Sequence, residues 1–206
     1  MADEVWASTI YGNSDFYTDP LRVQHALDDG PRIVEMSQRN LRGDVFEASE
    51  FPQVMVYSDP KKQIATLPHL FLAGDYIGVS ELAAEAIKVD EMGACSLYPV
   101  AAFQADQTTP ISGTYFLINF GNVKSGGFLP EQSTKMRADP FRQGIWHARQ
   151  TLKNGQLAVS ADVLNGPGIW VDDRLEDVFF LSGSVVKALK KKSIFAGLQL
   201  RKCTIV

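Results

Sequence analysis

Cysteine is scarce in this chain of 206 residues: there are two, Cys95 and Cys203, and they form no CxxC. Their spacing excludes the usual zinc-ribbon and dithiol redox motifs. Each lies in an apolar run, so buried reduced thiols are expected, and a disulfide would need an oxidising compartment. Histidine is nearly as rare. His25, His69 and His147 show no HxxxH or similar ligand spacing, so neither a metal nor another cofactor is expected. No Gly-x-Gly-x-x-Gly follows a strand, and there is no Walker loop. No apolar stretch approaches the roughly 18–20 residues of a membrane helix, so no membrane partner is expected. There is no basic excess either. Lys and Arg number 20 against 24 Asp and Glu, a formal net charge of −4, and the pI is about 5.4. That balance argues against a nucleic-acid partner, which needs clustered cations. It fits a soluble protein, including one that docks a basic partner. Met1-Ala2-Asp3-Glu4-Val5-Trp6 has neither the basic segment nor the apolar region of a secretion signal, so the cytoplasm is the expected location.

What is present is a globular composition, 45% apolar, and a unit that occurs twice. Ile77-Gly78-Val79-Ser80-Glu81-Leu82-Ala83-Ala84-Glu85-Ala86-Ile87-Lys88 is matched by Phe179-Phe180-Leu181-Ser182-Gly183-Ser184-Val185-Val186-Lys187-Ala188-Leu189-Lys190. Ser80 aligns with Ser182 at an offset of 102 (182 − 80), and the same offset aligns Ala86 with Ala188 and Lys88 with Lys190. In each copy an apolar run meets a serine, then a helix-period stretch, then a second apolar run. Serine is a favoured N-cap, so both serines are expected at helix starts. The expected fold is α+β: mixed sheets, few helices and two related strand-helix-strand units. The chain reads as one domain, 1–206, divisible into halves 1–108 and 109–206 at Thr108-Thr109-Pro110.

Local patterns fill in the rest. Strands are expected at Val5 to Tyr11, Ile33 to Met36, Val54 to Tyr57, Cys95 to Phe103, Gly113 to Asn119, Gln156 to Ser160, Ile169 to Val171, Val178 to Leu181 and Ile194 to Val206. Leu67 to Val79 is apolar but interrupted by Pro68 and Gly74. Pro99 suggests an edge or a bulge. Asp19-Pro20 opens a helix, with Leu21, Val23, Ala26 and Leu27 inward and Gly30-Pro31 as its stop. Arg39 to Pro52 and Thr134 to Gly144 are polar and weakly patterned. Lys190-Lys191-Lys192 ends the last helix, where the helix dipole favours cations.

Residues of catalytic type are few. Gly74-Asp75-Tyr76-Ile77-Gly78-Val79-Ser80 comes nearest to a nucleophile elbow, yet Gly-x-Ser-x-Gly is absent, so Ser80 lacks the sharp turn that exposes a hydroxyl. Asp172-Asp173-Arg174-Leu175-Glu176-Asp177 is the densest acidic stretch. Its four carboxylates could hold Mg²⁺ or meet a cationic surface; the alternative is a solvated turn. Trp170, just before it, is either an interface aromatic or a core residue.

The second half resembles a known family. Tyr115-Phe116-Leu117-Ile118-Asn119, Glu131-Gln132-Ser133, Ile169 to Leu175, Val178 to Ser182, Ala188-Leu189-Lys190 and Ile194-Phe195-Ala196-Gly197-Leu198 occur in the order seen in the bacterial polymorphic-toxin immunity proteins of family eleven. The resemblance runs over about Tyr115 to Val206, and touches the first half through Val79-Ser80 and its helix. It implies a small cytosolic protein, encoded beside a toxin, that binds and silences it by stoichiometric occlusion. It implies no catalytic residue and no cofactor. With that partner in view, Trp170, Asp172, Asp173, Glu176 and Asp177 are the expected toxin-facing residues, their charge opposing a basic cleft. The competing expectations are a small hydrolase using Ser80 or the acidic stretch, and a non-catalytic interaction module of another pathway.

Overall fold

The computed structural model describes residues 3–12, 21–23, 30–149 and 152–206. The fold is α+β, with several mixed sheets and three α-helices among the described residues. The duplicated units form as expected. In the first, β5 (Tyr76–Ser80) runs into α2 (Glu81–Ile87), and the chain returns as β6 (Ser96–Phe103). In the second, β13 (Phe179–Ser182) runs into α3 (Gly183–Lys191) and returns as β14 (Leu200–Lys202) and β15 (Thr204–Ile205). Ser80 and Ser182 are each the last strand residue and the N-cap. Their hydroxyl oxygens accept the N–H of Ala83 at 3.4 Å and of Val185 at 3.3 Å, which supplies partners for otherwise orphaned helix donors.

The repeat extends beyond these units. β3 (Val54–Tyr57) pairs parallel with β6, β7 (Tyr115–Asn119) lies antiparallel between β6 and β5, and β4 (Leu70–Ala73) pairs with β5. β10 (Ala158–Val159) pairs parallel with β15, β1 (Val5–Ser8) lies antiparallel between β14 and β13, and β11 (Ile169–Val171) pairs with β13. The two strand orders correspond one to one. In each, the chain leaves one strand, crosses over a helix and returns one place beyond an inserted antiparallel strand. The inserted strands are exchanged. β1, from the first half, is inserted in the sheet of the second unit, and β7, from the second half, in the sheet of the first. The expected boundary at Thr108-Thr109-Pro110 therefore does not separate two self-contained lobes, because each lobe's sheet needs a strand from the other.

Side-chain alternation explains the layers. One face of the first sheet, including Val23, Met55, Phe71, Tyr76, Val100 and Leu117, meets Ile33 and Met36 of α1 (Gly30–Leu41) together with Phe46 and Phe51. Its other face, with Leu72, Ile77, Val79 and Ile118, shares a second core with α2, α3 and the Ile169, Val171, Phe179 and Leu181 face of the second sheet. The reverse of that sheet, with Val5, Ala7, Trp170 and Phe180, closes a third core on Phe128, Leu157 and Leu175. Gly78 is needed where Phe71 crosses β5: a Cβ there would lie 2.0 Å from the ring.

Several local expectations need correction. Leu21–Val23 is β2, paired with β3, and not a helix turn; Asp19, Pro20, Ala26, Leu27 and His25 lie outside the described residues. Gly30-Pro31 opens α1 instead of ending a helix, since proline fits the first turn. Ile33 to Met36 is helical because the inward positions are Ile33, Met36, Ser37 and Asn40, a helix period hidden by two polar members. Asn40 is fully used inside: it donates to Ile118 O at 2.9 Å, and its oxygen accepts from Asn119 at 2.8 Å and from Phe120 N at 3.0 Å. Pro99 sits within the central part of a sheet. Ala101 N bonds Gln53 O, so the Pro99 nitrogen points the same way, past the start of β3, and no ladder bond is lost. Ile10–Gly12 and Ala196–Leu198 are single 3₁₀ turns within stretches expected to be extended. Cys95 and Cys203 are free and buried, and burial pushes both thiols up to about 12. Among the described residues no helix is long and apolar enough to cross a membrane.

Candidate functional site

The two units differ where the sheets are linked. Unit one turns from β4 to β5 over Gly74-Asp75. At the same place unit two carries the acidic loop 172–178, which includes β12 (Leu175–Glu176). Where unit one has β2 and α1, unit two has an antiparallel hairpin of β8 (Met136–Ala138) and β9 (Trp146–Ala148). These two additions dock on each other: β12 pairs parallel with β9, Leu175 opposite Trp146 and Glu176 opposite His147. Leu175 is buried in the third core, so the loop is anchored and not a free solvated turn.

The five residues expected to face a partner divide. Trp170 is 2% exposed and stacks on Phe180, with ring centroids 5.6 Å apart. Lys124 Nζ lies 3.8 Å from its ring centre. Trp170 is a core residue because odd and even positions of β11 face different cores, both closed. Asp172 is also 2% exposed. Its carboxylate accepts Phe128 N at 2.7 Å and Arg174 N at 3.0 Å, with Arg174 Nε 3.6 Å away. It is a structural tether, and its pKa is raised by burial, against those hydrogen bonds. Asp172 is closed off from solvent, and Trp170 reaches solvent only in the wall of a cleft at the start of α3. Asp173 is exposed and accepts from Ser125 Oγ at 3.0 Å. Asp177 has a side chain 57% exposed and a positive φ of 60°. Glu176 lies between, on the surface but paired.

That pairing belongs to a network that crosses from hairpin to loop. The Arg142 guanidinium bonds both Glu176 oxygens, Nη2 to Oε2 at 2.6 Å, and Asp139 Oδ2 at 2.7 Å. His147 Nε2 lies 2.9 Å from the same Asp139 oxygen, and its Nδ1 lies 3.7 Å from Asp177. Asp139 Oδ1 accepts the N–H groups of Phe141 and Arg142 at 2.8 and 3.0 Å. His147, then Arg142, then Phe141 N hold the Asp139 carboxyl well below its usual range. Arg142, Glu176 and Asp177 border a cleft of about 280 Å³ whose other side is Gln38, Leu41 and Arg42.

Asp139, His147 and Glu176 bring one ligand atom each within 4.8 Å of one another, donors that suit Zn²⁺ or Mn²⁺. Arg142 already bonds both carboxylates, so a divalent ion would have to displace a bidentate guanidinium. A second cleft, of about 450 Å³, lies at the start of α3. Four of its polar residues are already bonded: Asp90 accepts from Ser182 Oγ at 2.6 Å and from Ser184 Oγ, and Lys124 donates to Val163 O at 2.7 Å and Pro167 O at 2.9 Å. Burial lowers the Lys124 pKa to about 8. One contact has the form of catalytic machinery, Ser80 Oγ at 2.8 Å from His69 Nδ1. Ser80 is 9% exposed and its oxygen already caps α2. Among the described residues no carboxylate bonds or pairs with His69 to orient it.

Sequence patterning missed Asp139, Phe141, Arg142 and His147, because the hairpin's strands are only three residues each and carry no clear alternation. Asp139-Pro140 ahead of Phe141, with Gly144 beyond, was the available signal for a turn that lifts an aromatic out of a polar stretch. The chain matches no protein-family model and no curated protein.

Proposed function

We propose that this chain is an immunity protein that binds a bacterial toxin encoded beside it, in the cytoplasm, and silences it by stoichiometric occlusion without catalysis of its own. The observation that carries this reading is the surface made by the acidic loop and the hairpin. Both are additions with no counterpart in the first unit, and they are locked together by Arg142. A rigid surface loses little freedom on association. Asp173 and Asp177 offer exposed carboxylates to a basic cleft, which favours fast, selective encounter. The resemblance of Tyr115 to Val206 to the immunity proteins of family eleven supports the same reading. The test is co-expression with the neighbouring toxin gene in a sensitive host. Restored growth and a co-purifying complex are expected; undiminished toxicity at matched expression would overturn the reading.

The 2.8 Å contact of Ser80 with His69 favours a second reading, a small hydrolase. It predicts covalent labelling of Ser80 by a fluorophosphonate, lost in Ser80→Ala. A non-catalytic module of another pathway would bind a partner whose gene encodes no toxin.

A further inference from the structure

The chain carries two Asn-Gly pairs, Asn154-Gly155 and Asn165-Gly166, and all four residues are exposed. In such a pair the following backbone nitrogen can reach the asparagine side-chain amide, because glycine has no Cβ to block the approach. The fold treats the two pairs differently. At the first, Gly155 N donates to Lys202 O at 2.7 Å, and Asn154 Oδ1 accepts Lys202 N at 2.9 Å. Nucleophile and electrophile are both held by β14. At the second, the Asn165 side chain and the Gly166 N–H have no hydrogen-bond partner among the described residues. A Cβ placed on Gly166, at φ +80°, would meet nothing within 4 Å, so the pair stands in open space. The other described asparagines, Asn40, Asn119 and Asn122, are buried and bonded.

We propose that Asn165 is a site of spontaneous deamidation, with water as the only co-reactant. The Gly166 nitrogen loses its proton to solvent base and attacks Asn165 Cγ. The new C–N bond closes a succinimide ring, the Cγ–Nδ2 bond breaks, and Nδ2 takes up a proton and leaves as ammonia. Water then opens the ring. Addition at Cγ breaks the new bond and gives aspartate; addition at the main-chain carbonyl carbon breaks the original peptide bond and gives isoaspartate. Either product adds a negative charge to the 163–167 loop, which walls the cleft at the start of α3 through Val163, Leu164, Gly166 and Pro167. Lys124 Nζ bonds Val163 O at 2.7 Å and Pro167 O at 2.9 Å, one on each side of the pair. Isoaspartate inserts a methylene into the backbone between those two carbonyls and so alters the span that Lys124 bridges, whereas aspartate preserves it. The proposal stands independently of the immunity reading.

The test ages the full chain at mildly alkaline pH, folded and in urea, and follows the tryptic peptide 154–174 by tandem mass spectrometry. Fragment ions assign the mass gain of amide to acid to one asparagine or the other. In the folded chain, conversion at Asn165 should be at least about tenfold faster than at Asn154, whose two hydrogen bonds must open first. In urea the two rates should converge, because the fold alone distinguishes them. Asn165→Gln should abolish the gain at position 165 in the folded chain, since the longer side chain would have to close a larger ring. A folded-state ratio below about tenfold would overturn the proposal. So would an Asn165 that stays intact in the folded chain and converts only in urea, since the loop would then hold it as β14 holds Asn154.

Discussion

Asp172→Ala should unfold the chain more easily while leaving the partner-facing surface chemically intact. The carboxylate is buried and accepts two backbone N–H groups, Phe128 at 2.7 Å and Arg174 at 3.0 Å. Truncation leaves the Phe128 N–H without a partner inside the third core. An unsatisfied buried donor costs roughly 1–3 kcal/mol. Arg174 loses the carboxylate 3.6 Å from its Nε, which has no hydrogen-bond partner among the described residues. Against this, the burial penalty on the Asp172 charge, which raises its pKa, disappears. The balance is about 2–4 kcal/mol of lost stability. Asp172→Asn keeps one acceptor oxygen and should lose about half as much. Urea unfolding reads this directly: with a slope of about 2 kcal/mol per molar, the Asp172→Ala midpoint should fall by about 1–2 M with the slope unchanged. A midpoint within about 0.2 M of wild type would refute the tether. A slowed toxin association by fully folded Asp172→Ala would restore the residue to the interface.

Tyr76 is fully buried, and its hydroxyl has no hydrogen-bond partner among the described residues; Tyr76→Phe should therefore be neutral or stabilise by about 1 kcal/mol, and a loss above about 1 kcal/mol in the same urea assay would reveal a partner for the phenol. Because β1 and β7 are exchanged, fragments 1–108 and 109–206 should each be unfolded alone by circular dichroism and recover native structure when mixed. Either fragment folding cooperatively alone would contradict the exchange. The Asp139 pKa is depressed, so the unfolded chain takes up that proton first as pH falls. The stability it contributes is complete above the unfolded value of about 4 and is lost as pH drops toward the lower folded value. The Phe141 amide resonance, reporting Asp139, should titrate with a midpoint below 3.9, and a midpoint above that value would contradict the network.

The core was legible in the sequence wherever hydrophobic period and capping agreed. Ser80 and Ser182 marked both helix starts, and the strands beside them had no competing pattern. α1 was not legible, because Ser37 and Asn40 occupy inward positions, Ser37 satisfied by Val34 O of its own helix and Asn40 by a tertiary bond to Ile118 O. The strand exchange was invisible for a related reason: local patterning fixes which residues form a strand, not which sheet receives it. At the site, acidity was visible but accessibility was not. Trp170 and Asp172 lie beside exposed Asp173 in sequence, yet alternation along β11 and the turn that follows send them inward. Phe141 stood in a polar stretch without period; Asp139-Pro140 and Gly144 signalled a turn, but not its pinning through Arg142 by Glu176, 34 positions away.

The most direct measurement is a titration of the toxin's own activity with the purified chain at toxin concentrations well above Kd. Stoichiometric occlusion predicts a linear fall that reaches zero at one equivalent and does not change with incubation time. Inhibition that deepens with time at a small fraction of an equivalent would indicate catalysis by this chain, and full activity at several equivalents would contradict the account outright.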